Sequence, residues 1–282
     1  MAIPIIDDWK NYFQNENEGL GSSYERVILN QHLTRICQEH DVKTVLEAPI
    51  FGFTGISGIN SMNMAQEGKE ITLTDDNSER LVMIEKLWKE CKLPVNLKYS
   101  ENFTSLPVND YEFDMSWNFS ALWFVKDIES FLAELDRVSK KIILIIVPNR
   151  TGPGFLMQKI MSKKTYKEVV DTDSIKYSCF SRIMSNLGWK LAEERLIDCP
   201  PWPDIGMKKE HFLKKLYLGF LLDKDADETK GTSIMSFYRG RDENFTQRML
   251  KYNGLERKLP EILKRFWAHH HYYLYIRKTE SS

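Results

Sequence analysis

The chain has little of what marks several large classes of protein. Its 282 residues include only 4 cysteines, at positions 37, 91, 179 and 199, and no two form a CxxC pair. Disulfide frameworks belong to shorter, cysteine-dense chains, so each thiol is expected to be a small buried residue in a reducing, cytoplasmic setting. No uncharged apolar run approaches the roughly 18 residues of a membrane span, and mean hydropathy is −0.42. The opening MAIPIIDDWKNYF has no basic stretch leading into an apolar core, so no secretory signal is expected there. Net charge is missing as well, with 39 Lys+Arg against 40 Asp+Glu. A protein that tracks nucleic-acid phosphates would carry a positive surplus, so no nucleic-acid partner is expected.

What is abundant is aromatic: 12% of residues, with 7 Trp, in a chain whose 42% hydrophobic and 28% charged content is that of a globular protein. Apolar spacing predicts a helix over Tyr24–His40, then a strand over Val42–Ala48 and a glycine-rich loop (Gly52, Gly55, Gly58) leading to a short helix over Ile59–Gln66. A strand over Glu70–Asp75 and a helix over Asn77–Cys91 follow, with Asn77 or Ser78 as cap. Strands are expected at Asn96–Tyr99, Tyr111–Trp117 and Ile142–Val147, with a helix over Asp127–Ser139 before the last. This alternation implies right-handed crossovers and a mostly parallel sheet.

Beyond Pro148 the pattern changes. Helices are expected near Phe155–Ser162, Ser174–Asn186, Lys208–Leu222, Asn244–Lys251 and Leu259–Trp267, and strands at Gly188–Asp198 and His270–Arg277. The expected fold is α/β: a Rossmann-like, seven-stranded, mostly parallel sheet with helices on both faces and a helical cap. The expected organisation is an α/β core over 1–150, a helical segment and late strand over 151–199, a cap insertion over 200–266 and a closing strand over 267–282.

In an open parallel sheet, ligands bind beyond the carboxyl ends of the strands where strand order reverses. Glu47 ends the first strand, and the glycine-rich turn after it allows close backbone approach. Asp75 and Asp76 end the second strand, where a carboxylate can accept both hydroxyls of a ribose. In order, these features favour a nucleoside site.

The blocks TVLEAP…GFTGISG, ITLTDDNSERL, YSENFTSLP and YEFDMSWNFSALWFV, followed by DIESFLAELDRVSKKIILIIVPN, resemble the class I S-adenosylmethionine-dependent methyltransferases, in particular the type 11 or UbiE-like group. The resemblance runs over about Val42–Asn149. It implies S-adenosylmethionine as cofactor, with S-adenosylhomocysteine as product, and in-line methyl transfer. Glu47 then contacts the methionine end, Asp75 and Asp76 the ribose, and Glu101 the adenine amino group, with Asn102 and Phe103 walling the ring. Asn118 faces the sulfonium, and Tyr24 is placed to meet the carboxylate or close the pocket; the competing view of Tyr24 is an ordinary helix start capped by Ser22 or Ser23. One departure from the family stands out: Pro49 occupies the first glycine position and has no N–H to give. The loop is therefore rebuilt, with Ala48, Gly52, Phe53 and Gly55 as expected contacts.

A dinucleotide-binding oxidoreductase is the alternative within the fold, but G-x-G-x-x-G after the first strand is absent. A cofactor-binding subunit without turnover is another. Trp123, Trp202 and His270 are candidates for the acceptor side. Of His269-His270-His271, at most two share a face of a strand, and the favoured reading is partly exposed strand residues. No metal-ligand spacing occurs, so no metal is expected. Aromatic and apolar residues such as Phe155, Trp202, Phe212 and Tyr238 favour a small-molecule acceptor, with a protein acceptor left open and oligomeric state unspecified.

Overall fold

The computed structural model describes residues 9–16, 18–51, 55–152, 155–156, 170–202 and 233–278. Helices α1 (Trp9–Asn15) and α2 (Gly19–Glu39) lead into β1 (Thr44–Glu47). There follow α3 (Met62–Gln66), β2 (Glu70–Asp75), α4 (Ser78–Glu90), β3 (Asn96–Tyr99), β4 (Phe113–Phe119), α5 (Ile128–Val138) and β5 (Ser139–Pro148). The second half holds α6 (Tyr177–Asn186), β6 (Trp189–Ile197), four short helices α7 (Met235–Tyr238), α8 (Phe245–Leu250), α9 (Gly254–Lys258) and α10 (Glu261–Lys264), and finally β7 (His270–Arg277). The helix expected over 208–222 and most of that over 155–162 lie outside the described residues.

The seven strands form one sheet in the order β3-β2-β1-β4-β5-β7-β6. All pairings are parallel except those of β7, which runs antiparallel to both β5 and β6. Burial on both faces explains the composition of the central strands. Every residue of β4 is buried, as is Ile142–Pro148 of β5, and a strand covered on both sides reads as a continuous apolar run.

The helices start where local chemistry dictates. Asn77 accepts the Arg80 N–H at 2.9 Å to cap α4, and Asp127 accepts the Ser130 N–H at 3.0 Å to cap α5. Phe131, Leu132, Leu135 and Val138 form the buried stripe of α5. α2 is different, because it is buried around much of its circumference. It carries Ser23, Glu25, Arg26 and Asn30 inside together with Tyr24, Val27, Ile28 and Leu33. The C-terminal segment covers it: Tyr24 meets Trp202 and Tyr252 edge-on, and Asn30 Nδ2 donates to the Tyr238 hydroxyl at 3.1 Å. This is why α2 begins at Gly19, five residues ahead of the sequence expectation, with Glu18 at the cap and Ser22 and Ser23 within the helix. Neither serine is the cap.

Replacing Asn77 by Ala is expected to cost about 1 kcal/mol of stability, the usual worth of an N-cap side chain. Urea unfolding with an unchanged denaturant slope checks this.

Candidate functional site

The carboxyl ends of β1, β2, β4, β5 and β6 lie along one edge of the sheet, and antiparallel β7 brings its first residue, His270, to the same edge beside Pro148 and Ile197. Strand order reverses between β1 and β4, so the crevice of the fold opens beyond Glu47 and Asn118. Glu47, Asp75 and Asn118 are all fully buried at these ends. The residues after β1 run between its neighbours: the Ala48 N–H donates to the Trp117 carbonyl at 3.0 Å and the Ile50 N–H to the Thr74 carbonyl at 3.2 Å. Pro49 follows a cis peptide bond.

Glu47 sits in a chain of polar side chains. Asn60 Nδ2 donates to its Oε1 at 3.0 Å and Ser61 Oγ to its Oε2 at 2.5 Å. Asn60 Oδ1 in turn accepts from Arg26, whose guanidinium also holds the Glu18 carboxylate at 2.6 Å and donates to the Ile56 carbonyl at 2.9 Å. The Glu18 carboxylate accepts the Ile56 N–H at 2.9 Å, inside the rebuilt turn. Gly55 is obligatory there. Its φ is +88°, and a Cβ would fall 2.3 Å from Glu18 Oε1. Burial pushes the Glu47 carboxyl up to about 7, against the pull of Ser61, Asn60 and Arg26.

Asp75 is equally committed. Arg80 grips both of its oxygens, with Nε to Oδ2 at 2.6 Å, and also reaches half-exposed Asp76 at 2.9 Å. Phe51 stacks on that guanidinium at 3.9 Å, and Trp9 lies 5.4 Å away. Sequence reasoning named neither arginine.

Among the other expected residues, Glu101 and Asn102 are exposed, with Asn102 Oδ1 accepting from Thr104 N–H and Oγ1–H in a local turn. Phe103 is packed inward, 6.4 Å from Phe131, rather than standing open. Gly52 and Phe53 lie outside the described residues. Trp123 is buried in a short 3₁₀ turn, and its carbonyl accepts the Asp171 N–H at 2.8 Å. Trp202 is fully buried against Tyr24 and Tyr252, so its proline neighbours did not keep it from the core.

The histidines require a correction. Instead of being partly exposed, His269 and His270 are buried, and only His271 is intermediate. The reason is tertiary: α2 and the residues after β6 cover the start of β7. His269 Nδ1 lies 2.7 Å from Asp198, and the His270 ring packs 4.6 Å from that of Phe119.

Several buried polar atoms at this edge have no hydrogen-bond partner among the described residues: both amide atoms of Asn118, Thr74 Oγ1, Ser120 Oγ, the Trp117 and Trp202 indole N–H groups and the Tyr24 hydroxyl. An unmade buried hydrogen bond costs about 1–3 kcal/mol, so such a concentration marks a ligand-facing edge. Together with the strand-end carboxylates, these residues fit a polar, nucleoside-bearing cofactor.

The sheet order and the strand-end acids define the architecture of class I S-adenosylmethionine-dependent methyltransferases. Residues 54–145 match the family model described as "Methyltransferase domain", from the glycine-rich loop into β5, and the chain carries a methyltransferase domain of that type 11 group with S-adenosylmethionine as its cofactor. Solved structures agree at the level of fold. A putative sarcosine dimethylglycine methyltransferase from Galdieria sulphuraria superposes with a TM-score of 0.58 at 12% identity, over 96% of this chain and 98% of that one. A magnesium protoporphyrin IX methyltransferase from Synechocystis with bound SAH gives 0.52 at 8% identity, over 90% and 84%. An S-adenosylmethionine-dependent methyltransferase from Clostridium acetobutylicum gives 0.52 at 8% identity, over 91% and 92%. No curated protein sequence matches the chain.

The Glu47 carboxyl has a pH signature. Its folded value near 7 lies above the ordinary 4.5, so the charged form is disfavoured by folding, and stability is lost as pH rises from 4.5 through 7. The Glu47→Gln variant should therefore gain on the wild type between pH 5 and pH 8 in the ligand-free protein. Parallel urea titrations at those two pH values measure it; an unchanged difference would remove Glu47 as a buried, protonated group.

Proposed function

We propose that this chain transfers the methyl group of S-adenosylmethionine to a small-molecule acceptor in the cytoplasm. The observation that carries the reading is the fully buried Asn118, both amide atoms unpartnered, at the β4 end of the crevice between the carboxylate-ended strands and the aromatic cover of the C-terminal segment. In this reading Glu47 holds the ammonium end of the cofactor and Asp75 its ribose, with Asp76 alongside and Glu101 on the adenine side. Gly55 belongs to the backbone wall after β1, whereas Gly52 and Phe53 lie outside the described residues.

The cofactor supplies an activated methyl on a sulfonium, with a thioether as leaving group. The chain's contribution is positioning and exclusion of water, which can supply a large share of the acceleration for a displacement on so good a leaving group. Glu47 is suited to its part, because a cationic amine beside a carboxyl that titrates near 7 draws it into the charged form. Asp75 must share its oxygens with a ribose, so Arg80 yields one of them or turns aside. Asn118 offers a carbonyl acceptor and amide N–H donors without net charge, able to orient cofactor and acceptor together. Trp202, seated on Tyr24, and the described residues 233–266 form the acceptor's wall. An enclosed aromatic wall suits a small apolar molecule better than a polymer.

Calorimetry with S-adenosylhomocysteine tests the cofactor assignment. Asp75→Asn should weaken binding by about 1.5–3 kcal/mol through loss of a charge-assisted hydrogen bond. Wild-type protein that binds NAD but not S-adenosylhomocysteine would overturn the reading.

The acceptor class is tested by incubating the protein with methyl-labelled donor and cell extract. Label should accumulate in the low-mass fraction. Label confined to macromolecules means a protein acceptor, and no transfer at all means a cofactor-binding subunit.

A further inference from the structure

Three residues far apart in the chain meet at the β6–β7 end of the strand edge. Glu25 comes from α2, Asp198 follows β6 and His270 opens β7; all three are buried, and each offers one ligand atom within 4.8 Å of the others. His270 Nδ1 lies 3.7 Å from Asp198 Oδ2 and 3.8 Å from Glu25 Oε2. Donor atoms bound to one divalent ion at about 2.1 Å stand roughly 3.0–3.4 Å apart. Small torsional adjustments of the His270 and Glu25 side chains close the set.

Two further observations point to a cation. The first is charge. Two carboxylates are buried together, with His269 against Asp198 alone, while Arg26, the next residue after Glu25, is committed to Glu18 and Asn60. His269 can answer only one of the two charges, and a dication would answer both. The second is Tyr24. Its ring is fully buried, its hydroxyl has no hydrogen-bond partner among the described residues, and it feels the charge of Asp198. A water or hydroxide on a metal ion would complete that hydroxyl.

The surroundings also supply what metal sites need around the ligands. His269 Nδ1 contacts Asp198 Oδ2 at 2.7 Å and orients that carboxylate. The ring of Phe119, the residue after Asn118, lies against the His270 imidazole at 4.6 Å and fixes its plane.

We propose that Glu25, Asp198 and His270 bind one divalent ion of the manganese–iron–zinc group. Two carboxylate oxygens and one imidazole nitrogen suit these ions; calcium and magnesium favour all-oxygen sets, and copper(I) favours sulfur. The ion ties α2 to the ends of β6 and β7, the three elements that surround the crevice beyond Asn118.

The test uses the full chain, stripped with chelator and titrated with Mn²⁺ while the electron paramagnetic resonance signal of free Mn²⁺ is followed, with Zn²⁺ as competitor. One equivalent should bind, Zn²⁺ should displace it, and the thermal midpoint should rise with the metal. Glu25→Gln and Asp198→Asn should each weaken binding at least tenfold and abolish the thermal shift. Glu25→Gln preserves side-chain shape and decides the matter if Asp198→Asn does not fold. Failure of the wild type to bind either ion stoichiometrically, or unchanged binding in Glu25→Gln, overturns the proposal. Calorimetry with S-adenosylhomocysteine on the same samples reports the cofactor site separately, so the two readings stand or fall independently.

Discussion

The strand edge is organised around the guanidinium of Arg26. It is nearly fully buried, and a buried cation survives only when its donors are used and its charge is answered. Here Glu18 answers the charge from both oxygens, while Asn60 and the Ile56 carbonyl take the remaining donors. One side chain thus fixes the entry to α2, the turn after β1 and, through Asn60, the strand-end acid Glu47. Removing Arg26 would leave Glu18 buried without its cation and the turn at Gly55 without its template. The unusual turn follows from this arrangement. Where the family pattern has glycines that leave room for a ligand, this chain has Pro49 and a loop folded onto its own carboxylate.

Much of the fold could be read in the sequence because its determinants are local. β2, β3 and β7 begin and end where composition alone places them, and the α4 and α5 caps are the residues that capping chemistry selects. The misreadings occur where tertiary burial reverses the meaning of polarity. Ser22 and Ser23 look like a helix start, yet α2 runs through them because the C-terminal segment buries that face. β4 extends to Phe119, two residues past the expected end, because Asn118 is a polar residue inside a fully buried strand. The triple histidine reads as solvent-facing, but its first two members are covered by segments that no local pattern places there.

The site was legible only in part for the same reason. Strand-end acids can be found from topology, so Glu47 and Asp75 stand where the alternation of strands and helices puts them. Their partners follow a different logic. Arg80 did leave a signal: a basic residue in the first turn of a helix opposes the helix dipole, which implies an anion close by, and Asp75 supplies it. Arg26 and Glu18 left none, since one lies within a helix and the other at its cap, and only the fold brings both to Ile56. Glu25 and Asp198 were equally invisible, and His270 stood out only as an acceptor-side candidate, because metal-ligand spacing is a property of local motifs and these three come from different elements.

The two halves of the crevice differ in how their polar groups are satisfied. On the β1–β2 side the acids already have partners, Arg80 for Asp75 and the Asn60–Ser61 pair for Glu47, so a ligand there exchanges one set of hydrogen bonds for another. The affinity of such an exchange is a difference between two large terms, and it rewards a ligand that can leave Arg80 engaged with Asp76 or Phe51. On the β4 side Asn118 and Ser120 have no hydrogen-bond partners among the described residues, so a polar ligand there forms bonds without breaking any of theirs. Binding at the β4 side therefore carries the more favourable balance per hydrogen bond, and in the proposed arrangement the cofactor's grip would depend most on the end of it that reaches Asn118. In that arrangement a nucleoside lacking that end would meet only the exchange side, and this difference would discriminate the intact cofactor from its adenosine fragment.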